Sequence, residues 1–486
     1  MMLQRSLSLL VAVPMVFLSA CSNDSSTPAA EGGPAAGSPL AEAWAAHGME
    51  GLHTLTVGGT AWRVRNSFRQ THSASPPWPE RDEISNYQRT LDLDAVLSRA
   101  TGDTFASSMF LDPPVAGTFA QNVTPTQPAW TAQLDFWLTP WGFLKGAEVN
   151  GATAGTATVD GVELATLSWQ TPATQVSPAG LQYTVTGYLN EQHLLTRVET
   201  RVEDDFMGDL LVANVYDGYH EVSGLQLPST VEQQRGGGGV FGALLSTATV
   251  NPANAGELLT VPPPAAAAPP PPPAAAPAEL SEQVAPGVYA INGGYVSLAI
   301  EFADYIAVFE AGQSRQRGEQ ILAEVKRLFP TKPIRYLINT HPHSDHTAGM
   351  VPFVREGATI VTEASNVDFL RMALSTPRTL LGEETLAPTF EAASGVYVIE
   401  DATRRLELHH LPNLHSEGTL FGLLPRDRLL FQADFTLPVS GAKANPFVVD
   451  LANYVVANGL DFDRYLAVHA AAVVQTKADL LAAIGQ

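Results

Sequence analysis

The chain has 486 residues, which at roughly 150 residues per domain is more than one hydrophobic core organises, so several domains are expected. Hydrophobic residues at 45% and charged residues at 16% exclude wholesale disorder. With 27 Lys and Arg against 49 Asp and Glu the net charge is −22, which repels phosphate backbones and excludes nucleic acid as an expected partner; the single cysteine excludes an internal disulfide and a zinc site built from several thiolates.

The first element is a leader. Met1 to Arg5 carries one positive charge, Ser6 to Leu18 is apolar but too short to span a bilayer comfortably, and Leu18-Ser19-Ala20-Cys21 follows. This arrangement resembles a bacterial lipoprotein signal peptide, residues 1–20, ending in a lipobox. The resemblance implies cleavage before Cys21, lipidation of its thiol, and a mature protein held to a membrane of the cell envelope by acyl chains at ~0.8 kcal/mol per buried methylene. Ser22 stands where the bacterial sorting rule places Asp in proteins retained at the inner membrane, so the outer membrane is the expected address. Residues 21–48, rich in Ser, Ala, Gly and Pro, read as a flexible tether.

Residues 49–261 show period-two patterns at Thr54 to Arg65, Leu181 to Leu189, Leu194 to Val202 and Leu210 to Tyr216, with turn signals at Asp160-Gly161 and Asp217-Gly218. These predict a curved antiparallel sheet, and Gly236 to Gly239 predicts a mobile loop. The run Val215 to Val222 with Gly224, Leu225 and Pro228 resembles a hairpin of bacterial lipoprotein-carrier-like sheets, which implies a concave apolar face able to take up a lipid or another hydrophobic ligand. The alternative is that this face packs a helix from around Trp130 to Leu144 and binds nothing. Residues 262–278 follow as a spacer: Pro262 to Pro277 holds nine prolines and seven alanines in sixteen residues, a composition that predicts polyproline II rather than a membrane helix.

Beyond the spacer, in residues 279–486, strand and helix patterns alternate. Strands are expected at Val288 to Ile291, Val296 to Phe302, Tyr305 to Phe309, Ile334 to Asn339, Thr359 to Val361, Val396 to Ile399, Leu406 to Leu411, Leu420 to Leu424, Leu429 to Gln432 and Leu466 to Val468, and helices at Arg315 to Phe329 and Asp345 to Val354. The whole is expected to be a multidomain α+β protein with an N-terminal antiparallel β-rich domain and a layered C-terminal α/β domain.

Of twelve histidines, three fall within Thr340-His341-Pro342-His343-Ser344-Asp345-His346, directly after a predicted strand. Imidazole and carboxylate are what a divalent metal site takes without sulfur. His341 and His343 can project to one side of an extended segment, and Asp345 and His346 can face a second ion beyond the turn. Further donors must come from distant strand ends, where His415, Asp434 and His469 stand.

This order and these contexts resemble the metallo-β-lactamase superfamily over about residues 280–486. The resemblance implies an αβ/βα sandwich in which His341, His343 and His415 bind one metal, Asp345, His346 and His469 bind the second, and Asp434 bridges both. It also implies two divalent ions, zinc being the first expectation with iron and manganese equally suited to His and Asp. Two such ions lower the pKa of a shared water from 15.7 to roughly 7, giving a nucleophile without a protein base, with Asp345 orienting it. The implied activity is hydrolysis of a small ester, lactone, thioester or phosphoester in the envelope. A β-lactamase is one alternative, although zinc β-lactamases of the superfamily generally lack the bridging aspartate; an envelope lipid-binding lipoprotein with a catalytically silent metal domain is another. A two-iron redox variant of the superfamily carries a flavin domain, and no dinucleotide loop is apparent here. Two departures from the family pattern are Glu310, where Asp is common, and Ala470, where Gly usually follows the last histidine. Thr376 to Thr389 and Leu437 to Phe447 are the expected pocket walls.

Overall fold

The computed structural model describes residues 33–64, 81–108, 111–127, 129–159, 161–262, 280–437, 444–469 and 475–485. The leader, Cys21 and the rest of the tether up to residue 32, the Pro/Ala spacer from residue 263, Asp160, residues 438–443 of one expected wall, and Ala470 lie outside the described residues. No described helix is long and apolar enough to cross a membrane.

The N-terminal half is one antiparallel sheet of eleven strands. In chain order they are β1 (Thr54–Val64), β2 (Arg81–Asp92), β3 (Leu97–Ser108), β4 (Leu111–Val123), β5 (Thr153–Val159), β6 (Val162–Gln170), β7 (Thr184–Leu189), β8 (Leu195–Asp204) and β9 (Gly208–Asp217), a small separate hairpin β10 (His220–Val222) and β11 (Leu225–Leu227), then β12 (Thr230–Arg235) and β13 (Gly238–Val250). The sheet order is β4-β3-β2-β1-β13-β12-β9-β8-β7-β6-β5, so two meanders meet where β1 pairs with β13. One face is covered by the helical stretch that links β4 to β5, with Trp130, Phe136, Phe143 and Leu144 buried against Trp169, Val185 and Leu195. The chain's own helical stretch thus packs against this face.

Two boundaries differ from expectation. The tether ends early: Ser38 caps a helix over Pro39–Ala46 by accepting the Ala41 N–H at 3.1 Å, with Pro39 in the first turn where its missing N–H costs nothing. Ala43 and His47 are fully buried, so this segment is part of the domain. The run Gly236–Gly239 is no loose loop either, because Gly236 (φ 57°) and Gly237 (φ 95°) form the two-residue turn joining β12 to β13, a geometry that wants residues free of Cβ.

His47 gives the N-terminal domain an acid-sensitive joint. Its Nδ1 lies 2.8 Å from the Ala43 carbonyl while Nε2 accepts the Leu195 N–H at 3.2 Å, so only the neutral ring satisfies both. Burial drives its pKa down to about 4 from 6.5. A base with a depressed folded pKa stabilises the fold fully above pH 6.5, and that contribution is lost as pH falls toward 4. Urea unfolding of wild type and His47→Gln should therefore diverge in pH dependence across that window, with wild type losing on the order of 3 kcal/mol more; parallel curves would contradict this.

The C-terminal half is a sandwich of two sheets. The first contains β14 (Ser281–Ala285), β15 (Val288–Ile291), β16 (Ser297–Glu301), β17 (Ile306–Phe309), β18 (Ile334–Ile338), β19 (Thr359–Glu363) and β20 (Thr389–Ala393), in that order. The second contains β21 (Val396–Glu400), β22 (Arg405–His410), β23 (Leu420–Leu424), β24 (Leu429–Gln432), β25 (Arg464–Ala467) and β26 (Gln475–Thr476). Strand β17 shows why the layers form: all four residues are buried, with Ala307 and Phe309 facing the core between the sheets and Ile306 and Val308 facing an outer helical layer. That layer includes Arg315–Leu328, Met350–Arg355 and Val367–Ser375, while Pro446–Ala457 covers the second sheet through Phe447, Val448, Leu451 and Val455. The protein is therefore the multidomain α+β chain expected, with helices outside two central sheets.

The two halves are joined directly. One continuous apolar cluster contains both the N-terminal sheet and the outer helical layer, and Phe206 meets Phe369 at 6.4 Å between ring centroids. The segment Thr376–Thr389, expected to wall a pocket, instead makes this joint. Asp209, beginning β9, accepts hydrogen bonds from Thr379 N (3.1 Å), Thr379 Oγ1 (2.5 Å) and Leu380 N (2.9 Å), while the buried Arg378 donates to the carbonyls of Asp205 (2.6 Å) and Phe206 (3.3 Å).

Candidate metal centre

Five strand ends converge at one rim of the sandwich. After β17 comes Glu310; after β18, Asn339 to His346; after β22, His415; after β24, Asp434; after β25, His469. Strand ends suit the purpose because the backbone is fixed by the ladder up to the preceding residue, so the next side chains are aimed from a rigid base.

The seven side chains named from the sequence come together as two groups, His341, His343 and His415, and Asp345, His346, Asp434 and His469, with donor atoms within 4.8 Å of one another in each. In the first group His341 Nε2 is 3.0 Å from His343 Nδ1 and 3.1 Å from His415 Nε2, and the third edge is 3.0 Å. A tetrahedral ion with ligands at ~2.0 Å requires donor separations of about 3.3 Å, so the triangle is close to that size. In the second group His346 Nε2 lies 3.2 Å from His469 Nε2, and both lie 3.5 Å from Asp345 Oδ2.

Asp434 stands between them. Its Oδ2 is 3.1 Å from His341 Nε2, 3.2 Å from His415 Nε2 and 3.3 Å from His346 Nε2, while Oδ1 is 2.5 Å from His469 Nε2. This oxygen is buried yet receives no hydrogen bond of acceptable geometry. A buried carboxylate oxygen left without a donor, facing several imidazole nitrogens, fits an ion in the space between far better than a protein-only contact.

Neighbouring groups set the orientation of the rings. Thr340 Oγ1 is 3.0 Å from His341 Nδ1, and Glu310 Oε2 accepts from His346 Nδ1 at 2.6 Å, which leaves Nε2 of each ring to present its lone pair. Glu310 also accepts the Thr340 N–H at 2.9 Å and holds a left-handed backbone, φ 75°, a strain its two buried contacts maintain. Glu310, one of the two expected departures, thus contacts the His346 ring directly. Asn413 Oδ1 accepts the N–H groups of His415 and Ser416, and Gln432 Oε1 accepts the Phe435 N–H at 2.7 Å, fixing the turns that carry His415 and Asp434. His409, a near neighbour of the ligand loop, lies flat on Phe421 (5.0 Å, 9°), and His410 bonds the Glu417 carbonyl, so neither joins the cluster.

The electrostatics point the same way. Burial pushes His341 and His343 well below the usual histidine range, keeping them neutral as ligands must be. Burial also opposes charge on His346, yet Asp434, Glu310 and Asp345 together lift it well above that range. Asp434 is held far below the usual carboxylate range despite burial, chiefly by His346, His415 and His341. The field of these carboxylates calls for positive charge at the centre, which divalent ions meet.

Sequence reasoning missed Tyr295, half-buried in the β15–β16 loop. Its hydroxyl lies 3.4 Å from Asp345 Oδ2 and its ring 4.5 Å from that of His469. Phe447, at the end of the expected wall Leu437 to Phe447, has its ring 5.1 Å from that of His415. The Gly293-Gly294-Tyr295 turn was the available sign for the tyrosine.

The family model of the metallo-β-lactamase superfamily matches residues 293–473, a span holding all seven side chains. No curated protein matches the chain. Among solved structures it is similar to a metallo-β-lactamase from Pontibacter korlensis, at 14% identity over 42% of this chain and 99% of the other with a TM-score of 0.34. It is similar also to a metallo-β-lactamase from Erythrobacter litoralis, at 19% identity over 41% and 92% with a TM-score of 0.32. A third likeness is to the flavodiiron protein from Giardia intestinalis, at 20% identity over 42% and 57% with a TM-score of 0.33. With the family model laid over a two-sheet sandwich and its rim of histidines and aspartates, the C-terminal domain of this chain belongs to the metallo-β-lactamase superfamily.

Proposed function

We propose that the C-terminal domain is a two-metal hydrolase that cleaves a small ester, lactone, thioester or phosphoester, and that residues 1–21 place it in the cell envelope on a lipid anchor at Cys21, at the outer membrane. The observation that carries the hydrolytic reading is the position of Asp434 Oδ2, within 3.1 to 3.3 Å of ring nitrogens from both donor groups, as a ligand shared by two ions would be. His341, His343 and His415 would hold one ion, Asp345, His346 and His469 the other, with zinc the first expectation and iron or manganese compatible with the same donors. When bound, such a pair supplies a water ionised near neutral pH and polarises the substrate's carbonyl or phosphoryl oxygen.

The chain's own residues do the rest. Side-chain exposure is 29% at Asp345 and 25% at His469 but 0% at His341 and His346, so substrate approaches from the Asp345 side. Asp345 can turn its second oxygen, Oδ1, to a water on that side, orient it by a hydrogen bond and pass its proton to the leaving group. Glu310 and Thr340 keep the two deepest rings in the tautomer that faces inward.

Metal analysis of the purified protein followed by a panel of esters, lactones, phosphodiesters and nitrocefin tests the reading. Asp345→Asn should lower kcat by about 10²- to 10⁴-fold on every substrate the wild type turns over. Undiminished turnover in that variant would place the chemistry elsewhere.

A further inference from the structure

Tyr295 stands beside Asp345 and His469, the most exposed of the donor groups among the described residues, and its setting is built rather than incidental. The loop Asn292–Tyr295 is held at both ends by Arg317, whose Nη2 donates to the Ile291 carbonyl at 2.9 Å and the Tyr295 carbonyl at 3.2 Å. Gly293 makes this clasp possible: at φ 154° it lies so close that a Cβ would sit 2.4 Å from Arg317 Nη1. The next residue, Val296, donates its N–H to the carbonyl of Val468 at 2.9 Å, which ties the loop to the residue before His469. The phenol ring therefore stands edge-on to His469 at 4.5 Å and to His346 at 6.2 Å, held by contacts that do not involve its hydroxyl.

The hydroxyl itself is loosely engaged. Its distance to Asp345 Oδ2 is 3.4 Å, well beyond the ~2.7–2.8 Å of a settled O–H···O bond. A rigid ring, a donor only weakly engaged, and a position beside the most exposed donor groups among the described residues together define a group aimed at whatever substrate oxygen is presented there. We infer that Tyr295 is a catalytic residue that donates a hydrogen bond to the oxyanion developing on the substrate's carbonyl or phosphoryl group. This deepens the hydrolytic reading and rests on it. The bond is made as negative charge builds on that oxygen and no proton need transfer, so the tyrosine ends the cycle as it began.

The test compares metal-loaded wild type, Tyr295→Phe and Asp345→Asn. Phenylalanine keeps the ring on His469 and removes only the donor. Expected are unchanged metal content by plasma mass spectrometry, a kcat for p-nitrophenyl butyrate or bis-p-nitrophenyl phosphate lower by about 10²- to 10³-fold with KM nearly constant, and a similarly weakened affinity for butyl methylphosphonate, an uncleaved tetrahedral oxyanion, by calorimetry. Two results overturn the inference: phosphonate affinity and kcat within twofold of wild type, or a loss of rate accompanied by loss of metal, which would make Tyr295 a prop for Asp345. Failure of the hydrolytic reading shows separately, as undiminished turnover by Asp345→Asn; the phosphonate affinity of Tyr295→Phe still decides the role of the hydroxyl.

Discussion

Asp434→Asn is expected to abolish paired metal binding, reducing the metal content from two ions per chain to one or fewer and turnover by roughly a thousandfold or more, the equivalent of about 4 kcal/mol of transition-state stabilisation. The size of the effect follows from position. Two divalent cations held a few ångströms apart repel each other strongly in a buried site, and the carboxylate between them is the group that offsets that repulsion. Asn keeps the shape but removes the charge, and it turns an NH₂ donor toward imidazole nitrogens or toward a cation, both unfavourable. His410→Gln, altering a ring that bonds the Glu417 carbonyl outside the cluster, should leave metal content unchanged. Chelation should lower the melting temperature of wild type and change that of Asp434→Asn much less, because a ligand stabilises only the fold that binds it. Full metal loading of the asparagine variant would show that Asp434 is not the bridge.

The site was legible in the sequence to an unusual degree, and the reason is physical. The histidines cluster because one loop supplies donors to both groups, and the remote donors fall just past strands whose apolar runs are easy to see: Leu429–Gln432 is all buried, and Asp434 follows two residues on. Buried strands of the sandwich read clearly for the same reason, since facing two cores leaves no polar position. What was hidden depends on contacts between distant residues. Glu310 was noticed only as a departure, because nothing in a linear string tells that its backbone adopts a left-handed turn to bring a longer acid onto His346. The helix Pro446–Ala457, which shares only Pro446 and Phe447 with the expected wall Leu437 to Phe447, went unread since Phe447, Val448, Leu451, Ala452 and Val455 make it apolar on so wide a face that no polar stripe marks its period. The single helix expected over Asp345 to Val354 is two, Ser344–Thr347 and Met350–Arg355, parted at Ala348 and Gly349. At the other end of the chain, Ala-rich composition concealed a capped helix inside an expected tether, although Ser38-Pro39 was a legitimate start signal.

Least legible of all was the joint between the halves, and it carries the second large expectation. Arg378 is fully buried, donating to two carbonyls of the β8–β9 turn and through Nε to Glu383 at 2.8 Å, while Arg315 and Arg355 hold the same carboxylate at 2.6 and 2.7 Å. Burial disfavours the charge of Glu383, yet Arg378 and Arg315 keep its carboxyl at about 2, so it stays ionised throughout the working pH range. Arg378→Ala leaves the carbonyls of Asp205 and Phe206 without their donor and a cavity at the contact of the two cores. Glu383 retains two partners, which places the loss at the lower end for a broken buried ion pair, about 3 kcal/mol. Urea unfolding should then resolve into two transitions where wild type shows one, because the two halves lose the contact that couples them. The same joint predicts that wild type cut by a protease at a site introduced within residues 263–279 elutes as one particle, and that cut Arg378→Ala protein exchanges its halves more readily. The spacer is then a covalent convenience between parts already bound to each other. Separate elution of the cut wild-type halves would instead make the spacer the only thing holding them together.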